Sequence, residues 1–217
     1  MIAPLPARPS LSDDVYEAIK TLIMNHAIAP GSRLSIDQLA RDLAVSPTPI
    51  REALARLESD GLAVKESLRG YSTTPVLTSE EVLELFELRG VLEPWLAERA
   101  ATRRTPEDLS RLHNELASMP AVPSGQGYED YRELASHDSR FHLLVAGLAG
   151  NAWARAALER THCHLHLFRL NYTHKLGSTA IIGHREIVAA IEAGDPGAAR
   201  SAMQRHLDDS RSRVAGE

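Results

Sequence analysis

Apolar residues recur at helical spacing along most of this chain, and the places where they do not mark its joints. In residues 12–25, Val15, Ala18, Ile19, Leu22 and Ile23 form one stripe, as a helix with a single buried face requires. Ala29-Pro30-Gly31 breaks it with a turn. Ser35-Ile36-Asp37-Gln38 matches a capping box, so a second helix begins there and turns Leu39, Ala40 and Leu43 inward. A third opens at Ser46, which is placed to cap it by accepting a backbone N–H. Pro47 and Pro49 sit in its first turn, where a missing N–H is tolerated. Ile50, Ala53, Leu54 and Leu57 make its stripe, and Gly61 ends it. Leu62-Ala63-Val64 and Tyr71-Ser72-Thr73-Thr74 then read as strands around a polar loop, residues 65–70. Two short helices followed by a hairpin make a winged helix-turn-helix over residues 12–77, preceded by a Pro-rich flexible arm, residues 1–11.

From Thr78 onward the pattern is helical, and six helices are expected. Thr78-Ser79-Glu80-Glu81 is a capping box, and the helix it opens carries Val82, Leu85, Leu92 and Leu96, with Pro94 in its interior bending it near Gly90. Thr105-Pro106 starts the next, with Leu109, Leu112 and Leu116 inside. Pro120 to Gly127 is a loop. Further helices run over 128–149, 151–172, 178–193 and 195–211, with Gly150 and Gly194 as stops. The fold class is mainly α: a winged helix-turn-helix, then an all-α six-helix bundle over residues 78–212.

Several polar residues fall where this pattern gives them chemistry. Thr48 and Arg51 lie off the apolar stripe at the N-terminus of the third helix, where an Arg can reach guanine O6 and N7 in the major groove. An ordinary amphipathic helix fits the same spacing. Arg69 and Gly70, at the tip of the hairpin, suit a phosphate or the minor groove, glycine permitting close backbone approach. Arg89 shares a face with Leu85, Leu92 and Leu96, and a core-facing Arg needs an anion. That anion is either Glu93, one turn on, or a ligand carboxylate held by a bidentate clamp. Asp138 and His142, four apart, project from one inward helix face. His184 shares a stripe with Ile181, Ile187, Val188 and Ile191, and His206 with Ala199, Ala202 and Met203. One such histidine is ordinarily a hydrogen-bonded core residue. Three with a carboxylate, on three inward faces, suit a divalent cation with a position left open for water or ligand. His162, His164 and His166 alternate along one helix, with His164 pointing away from the other two, and are given no metal. Cys163 reads as a packing residue, and His113, His137 and His174 as surface.

Two resemblances sharpen this. Pro30-Gly31-x-x-Leu34, Leu39-Ala40, Val45-Ser46-x-Thr48-Pro49-Ile50-Arg51-Glu52-Ala53-Leu54, Asp60-Gly61-Leu62 and Arg69-Gly70 resemble the winged helix of the GntR family of bacterial transcription regulators. The resemblance implies that Ser46 and Thr48 contact phosphates and Arg51 a base edge. Family members often carry Arg where this chain has Pro47, which leaves Arg51 as the main base reader. Glu87-Leu88-Arg89-x-x-x-Glu93, Asp138-x-x-x-His142, His184 and His206 resemble the FCD effector domain of the FadR subfamily. That resemblance implies a bundle binding a divalent metal such as zinc or nickel through Asp138, His142, His184 and His206. It further implies a small organic acid bound on the metal, and a homodimer on a palindromic operator in double-stranded DNA.

Charge limits the first half of this reading. The chain has 24 Lys and Arg against 29 Asp and Glu, a formal net charge of −5. Within residues 10–77 acidic side chains also outnumber basic ones, nine to seven. Nonspecific DNA affinity is therefore expected to be modest and salt-sensitive, with much of the binding strength supplied by dimerisation. A single cysteine excludes an internal disulfide and fits a reducing cytoplasm. No secretory h-region and no run of about 20 apolar residues is present, so no membrane partner is expected. Two other functions compete. A metal-dependent hydrolase-like enzyme fused to a DNA-binding domain would need a positioned general base, and no further carboxylate has the spacing of one, so an enzyme is not expected. A metal-ion sensor repressor would have no use for a buried Arg89 beside its cation.

Overall fold

The computed structural model describes residues 10–118, 127–170 and 174–215, and the chain divides into two compact units between Val76 and Leu77. The loop expected over Pro120 to Gly127 lies outside these residues up to position 126, as do positions 1–9 of the arm and the side chain of His174.

In the first unit, α1 spans Leu11–Met24, α2 Ile36–Asp42 and α3 Pro47–Ser59. Ile19, Ile23, Ile50, Ala53, Leu54 and Leu57 are fully buried, so the stripes read from the sequence are the core. Three cap details differ from expectation. Helix α1 is capped by Ser10, whose side chain accepts from the Asp13 N–H while Asp13 bonds back, so it starts earlier than Ser12; Ser12 instead donates to Glu52. Ser35 caps α2 through the Gln38 N–H, but Gln38 sends its amide to Asp42 at 2.6 Å rather than closing the box. Ser46 is extended at the α3 N-terminus and makes no side-chain cap bond, which leaves its hydroxyl facing solvent.

The wing has one strand more than the pattern shows. Arg33–Leu34 (β1) joins Ala63–Glu66 (β2) and Gly70–Thr73 (β3) in an antiparallel sheet of order β1-β3-β2, with Leu34 opposite Tyr71 and Glu66 opposite Gly70. Two residues are too few to carry a period, and β1 exists through its pairing with β3. Thr73 pins the preceding turn, donating to the Ala29 carbonyl at 2.8 Å and accepting from the Ser32 N–H at 3.0 Å.

The second unit holds seven helices among the described residues: α4 (Ser79–Arg103), α5 (Pro106–Ala117), α6 (Tyr128–Leu148), α7 (Ala152–Arg160), α8 (Cys163–Leu170), α9 (His174–Ala193) and α10 (Pro196–Ala215). The single helix expected over 151–172 is α7 and α8, because His162 turns into the left-handed region at φ 47°. Capping boxes at Thr78–Glu81 and Thr105–Asp108 start α4 and α5, and α4 runs unbroken through Pro94. Helix α4 packs on α6, α9 and α10 around Ala97, Ala100, Phe141, Val145, Ile187, Ile191 and Met203. Polar side chains line the same interior one layer further along. Among the described residues, no helix is long and apolar enough to cross a membrane.

Candidate metal centre and DNA-reading surface

Asp138 and His142 lie one turn apart on α6, and His184 and His206 reach the same point from α9 and α10. Each offers one donor atom, and the four atoms lie within 4.8 Å of one another. His142 Nε2 faces His206 Nε2 at 3.2 Å, and His184 Nε2 lies 3.3 Å from Asp138 Oδ1. Zinc–nitrogen bonds of about 2.0–2.1 Å put neighbouring ligand atoms about 3.0–3.4 Å apart; these two spacings match that, while the wider pairs, such as His142 Nε2 and Asp138 Oδ1 at 3.9 Å, would close around an ion. His184 Nε2 is fully enclosed and makes no hydrogen bond among the described residues. An orphaned imidazole nitrogen aimed at a carboxylate and two further imidazoles is costly unless a cation lies between them.

The electrostatics favour the ligating forms. Burial pushes His142 down to about 4 against the pull of Glu93. Burial, with the neighbouring imidazoles of His142 and His184, holds His206 well below the ordinary histidine value. Burial would raise Asp138, but the neighbouring imidazoles of His164, His184 and His142 outweigh it and hold it well below the usual carboxylate range. At neutral pH His142 and His206 are therefore neutral beside an ionised Asp138, the forms that bind a cation.

Three of the four donor residues are held from behind. His142 Nδ1 bonds Glu93, and Glu93 accepts from Arg89 Nε at 2.6 Å, both members of that pair being about 2% exposed. The ion-pair reading of Arg89 is thus what the structure contains, and the carboxylate in it also holds the His142 ring. His184 Nδ1 lies 3.3 Å from His137 Nε2, and His137 Nδ1 lies 2.9 Å from Glu115 Oε1, close but off the angle of a good hydrogen bond. Asp138 Oδ2 bonds His164 Nδ1 at 2.8 Å. Burial alone would lower His164, but Cys163 and Asp138 outweigh it and raise it to about 10.

Two expectations are corrected here. His137, read as surface, is fully buried; it sits one turn before Phe141 and two before Val145 on the core stripe, a signal that was present in the sequence. His164 does point away from His162 and His166, but into the site rather than out of it, since the break at His162 resets the phase of α8. His113 is exposed, as expected.

Beside the four donors lies a recess of about 430 Å³, counting space open to solvent. Arg89, Asp138 and His206 form one wall, and Ser210 and Arg213 continue it along α10. Leu167, Phe168 and Val214 are apolar. Arg213 was missed because α10 was expected to stop near residue 211.

In the first unit, Ser46, Thr48 and Arg51 are exposed at the start of α3 while Pro49, Ile50 and Leu54 are buried behind them. Arg51 has no ion pair among the described residues, whereas Arg56 is tied to Asp13 at 2.6 Å and lies over the Tyr16 ring at 4.1 Å. At the wing tip Arg69 is 83% exposed and Gly70 holds a positive φ of 86°.

Comparison with known proteins agrees with both halves. Residues 11–72 match the bacterial regulatory proteins of the gntR family, and residues 84–209 match the FCD domain. The chain is 31% identical over 196 residues to the HTH-type transcriptional regulator YdhC of Bacillus subtilis (strain 168), covering 89% of this chain and 86% of that one. It is 26% identical over 206 residues to the HTH-type transcriptional repressor RspR of Escherichia coli (strain K12), covering 94% and 88%. The solved structure of E. coli McbR/YncC has the same fold, with a TM-score of 0.67 at 22% identity over 94% of this chain and 97% of that one. The relatives are transcriptional regulators, not enzymes. This chain therefore belongs to the GntR family of bacterial DNA-binding transcription regulators, in the FadR-like group that carries a C-terminal FCD domain.

Proposed function

We propose that the chain is a ligand-responsive regulator whose FCD bundle binds a divalent ion, zinc or nickel, together with a small carboxylate. The observation that carries this reading is the convergence of Asp138, His142, His184 and His206 within 4.8 Å, beside a recess that Asp138, His206 and Arg89 line. Imidazole and carboxylate donors suit zinc or nickel, and the ion would supply a Lewis-acidic anchor for one acid group. Arg89 keeps its Nε on Glu93 and presents the rest of its guanidinium to the recess, where it orients the bound acid.

In this reading the first unit grips the operator. Pro47 and Pro49 remove two of the N–H groups that a helix N-terminus ordinarily offers a phosphate. Phosphate contact then falls to the Ser46 and Thr48 hydroxyls, base readout to Arg51, and the wing contact to Arg69 and Gly70. A negative net charge makes a single unit a weak binder, so a homodimer on a palindromic site supplies the affinity. Helix α4, which begins at Ser79 shortly after the wing segment, opens the second unit and carries Glu93 and the Arg89 that lines the recess. A ligand that binds one packing of α4 better than another biases the chain toward it. The working compartment is the cytoplasm.

The test is a thermal-shift screen of small carboxylates on metal-loaded protein, followed by operator binding with and without each hit. Carboxylates that raise Tm only in the metal-loaded form and change operator affinity are expected. Equal shifts after chelation, or no shift with any acid, would overturn the proposal.

A further inference from the structure

The carboxylate clamp at Arg89 leaves the far side of the recess unexplained. Helix α10 presents His206, Ser210 and Arg213 at i, i+4 and i+7, so one stripe runs from the candidate metal position to a second guanidinium. The Arg213 Nε is fully enclosed yet meets no hydrogen-bond acceptor among the described residues. Asp209, one turn earlier, is exposed and acts on Arg213 through space without forming an ion pair with it among the described residues. Burying part of a guanidinium without a partner is unfavourable, and a site that does so is built for an anion that arrives later.

Charge balance points the same way. Glu93 neutralises Arg89, and Asp138 cancels one charge of a divalent ion. With His164 also charged beside Asp138, positive charge remains in excess around the ion, and Arg213, acted on through space by Asp209 and Asp138 but paired with neither, adds to it in a recess that Phe168 also lines. A monoanion on the ion leaves Arg213 unmatched; a compound with an acid group at each end matches both.

We propose that the effector is a dicarboxylate, with one end at the ion and Arg89 and the other on Arg213 and the Ser210 hydroxyl, its short apolar middle lying against Phe168. This rests on the reading of the recess as a carboxylate site, and it adds which carboxylates are chosen. Arg213 acts as the specificity-determining residue, since a charge-assisted bond to the second acid group separates dicarboxylates from monocarboxylates by about 10- to 100-fold.

Calorimetric titration of the full-length, metal-loaded protein tests this, using succinate, succinamate (the same length with one end neutral) and butyrate as probes. Wild type is expected to bind succinate at least about tenfold more tightly than succinamate or butyrate. Arg213→Gln should erase that preference while keeping butyrate affinity, Tm and metal content; Arg213→Lys should restore part of it. If wild type binds butyrate but prefers succinate by less than twofold, or if Arg213→Gln weakens all three probes equally, the dicarboxylate assignment is overturned and the carboxylate site stands. If wild type binds none of the probes, both fall together.

Discussion

Replacing Gly183 by alanine should dislodge His206 from the four-residue cluster. Gly183 lies on α9 directly against the His206 ring: a Cβ there would sit 2.4 Å from Nδ1 and 3.1 Å from Cγ. Non-bonded heavy atoms rest about 3.5–4.0 Å apart, so the ring has to retreat by about 1 Å. Metal–nitrogen bonds tolerate only about 0.2 Å, and a retreat of that size removes the ligand. Disturbing an outer-shell partner already costs about 10- to 100-fold in metal affinity. Loss of a direct ligand should cost at least about 100-fold, or about 2.7 kcal/mol. The same substitution at Gly147, whose nearest neighbour is the Arg155 side chain at 3.9 Å, is the control. There alanine should raise helix stability by about 0.5–1 kcal/mol and leave metal binding alone. Competition with a chromophoric chelator reads both variants. Unchanged metal affinity in Gly183→Ala would refute the assignment of His206 as a ligand, since the steric conflict does not depend on any ion.

Other outcomes follow from the same geometry. Arg51→Ala should reduce discrimination between the operator and a site with its guanine replaced by about 1–3 kcal/mol, read by fluorescence anisotropy, with circular dichroism unchanged; retained selectivity would count against Arg51 as the base reader. Glu93→Ala should destabilise the bundle by about 3–5 kcal/mol in urea, because it leaves Arg89 buried without its carboxylate and His142 without its orienting bond; a loss under 1 kcal/mol would mean that Arg89 finds another anion. Metal-free protein should lose stability as pH falls from about 6.5 towards 4. His142 and His206 stay neutral in the folded chain over that window but take up protons once unfolded, so the unfolded state gains. A urea midpoint that stays flat between pH 6.5 and 5 would contradict the burial-driven lowering of both imidazoles.

What the sequence disclosed, and what it did not, divides by range of interaction. Stripes such as Ile50, Ala53, Leu54 and Leu57 were legible because a helix writes its buried face into neighbouring turns. Asp138 and His142 were legible as a one-turn pair, and His184 and His206 as polar residues on otherwise apolar stripes. The strand Arg33–Leu34 was not, since its only support is β3, some forty residues on. The turn at His162 carries no glycine or proline to announce it, and with α7 and α8 read as one helix nothing showed that His164 faces the site. Glu93 was weighed only against Arg89, one turn away; its bond to His142 spans 49 residues and leaves no local trace. Arg213 was hidden by a boundary, as helix ends are set by packing as much as by sequence.

The central claim is that one divalent ion sits among three imidazoles and one carboxylate in each chain. X-ray absorption at the metal edge of the loaded protein, with metal content measured on the same sample, tests it most directly. The account predicts one ion per chain, a first shell of nitrogen and oxygen at about 2.0–2.2 Å with multiple-scattering features of three histidines. A sub-stoichiometric ion, or a shell containing sulfur from Cys163, would contradict it.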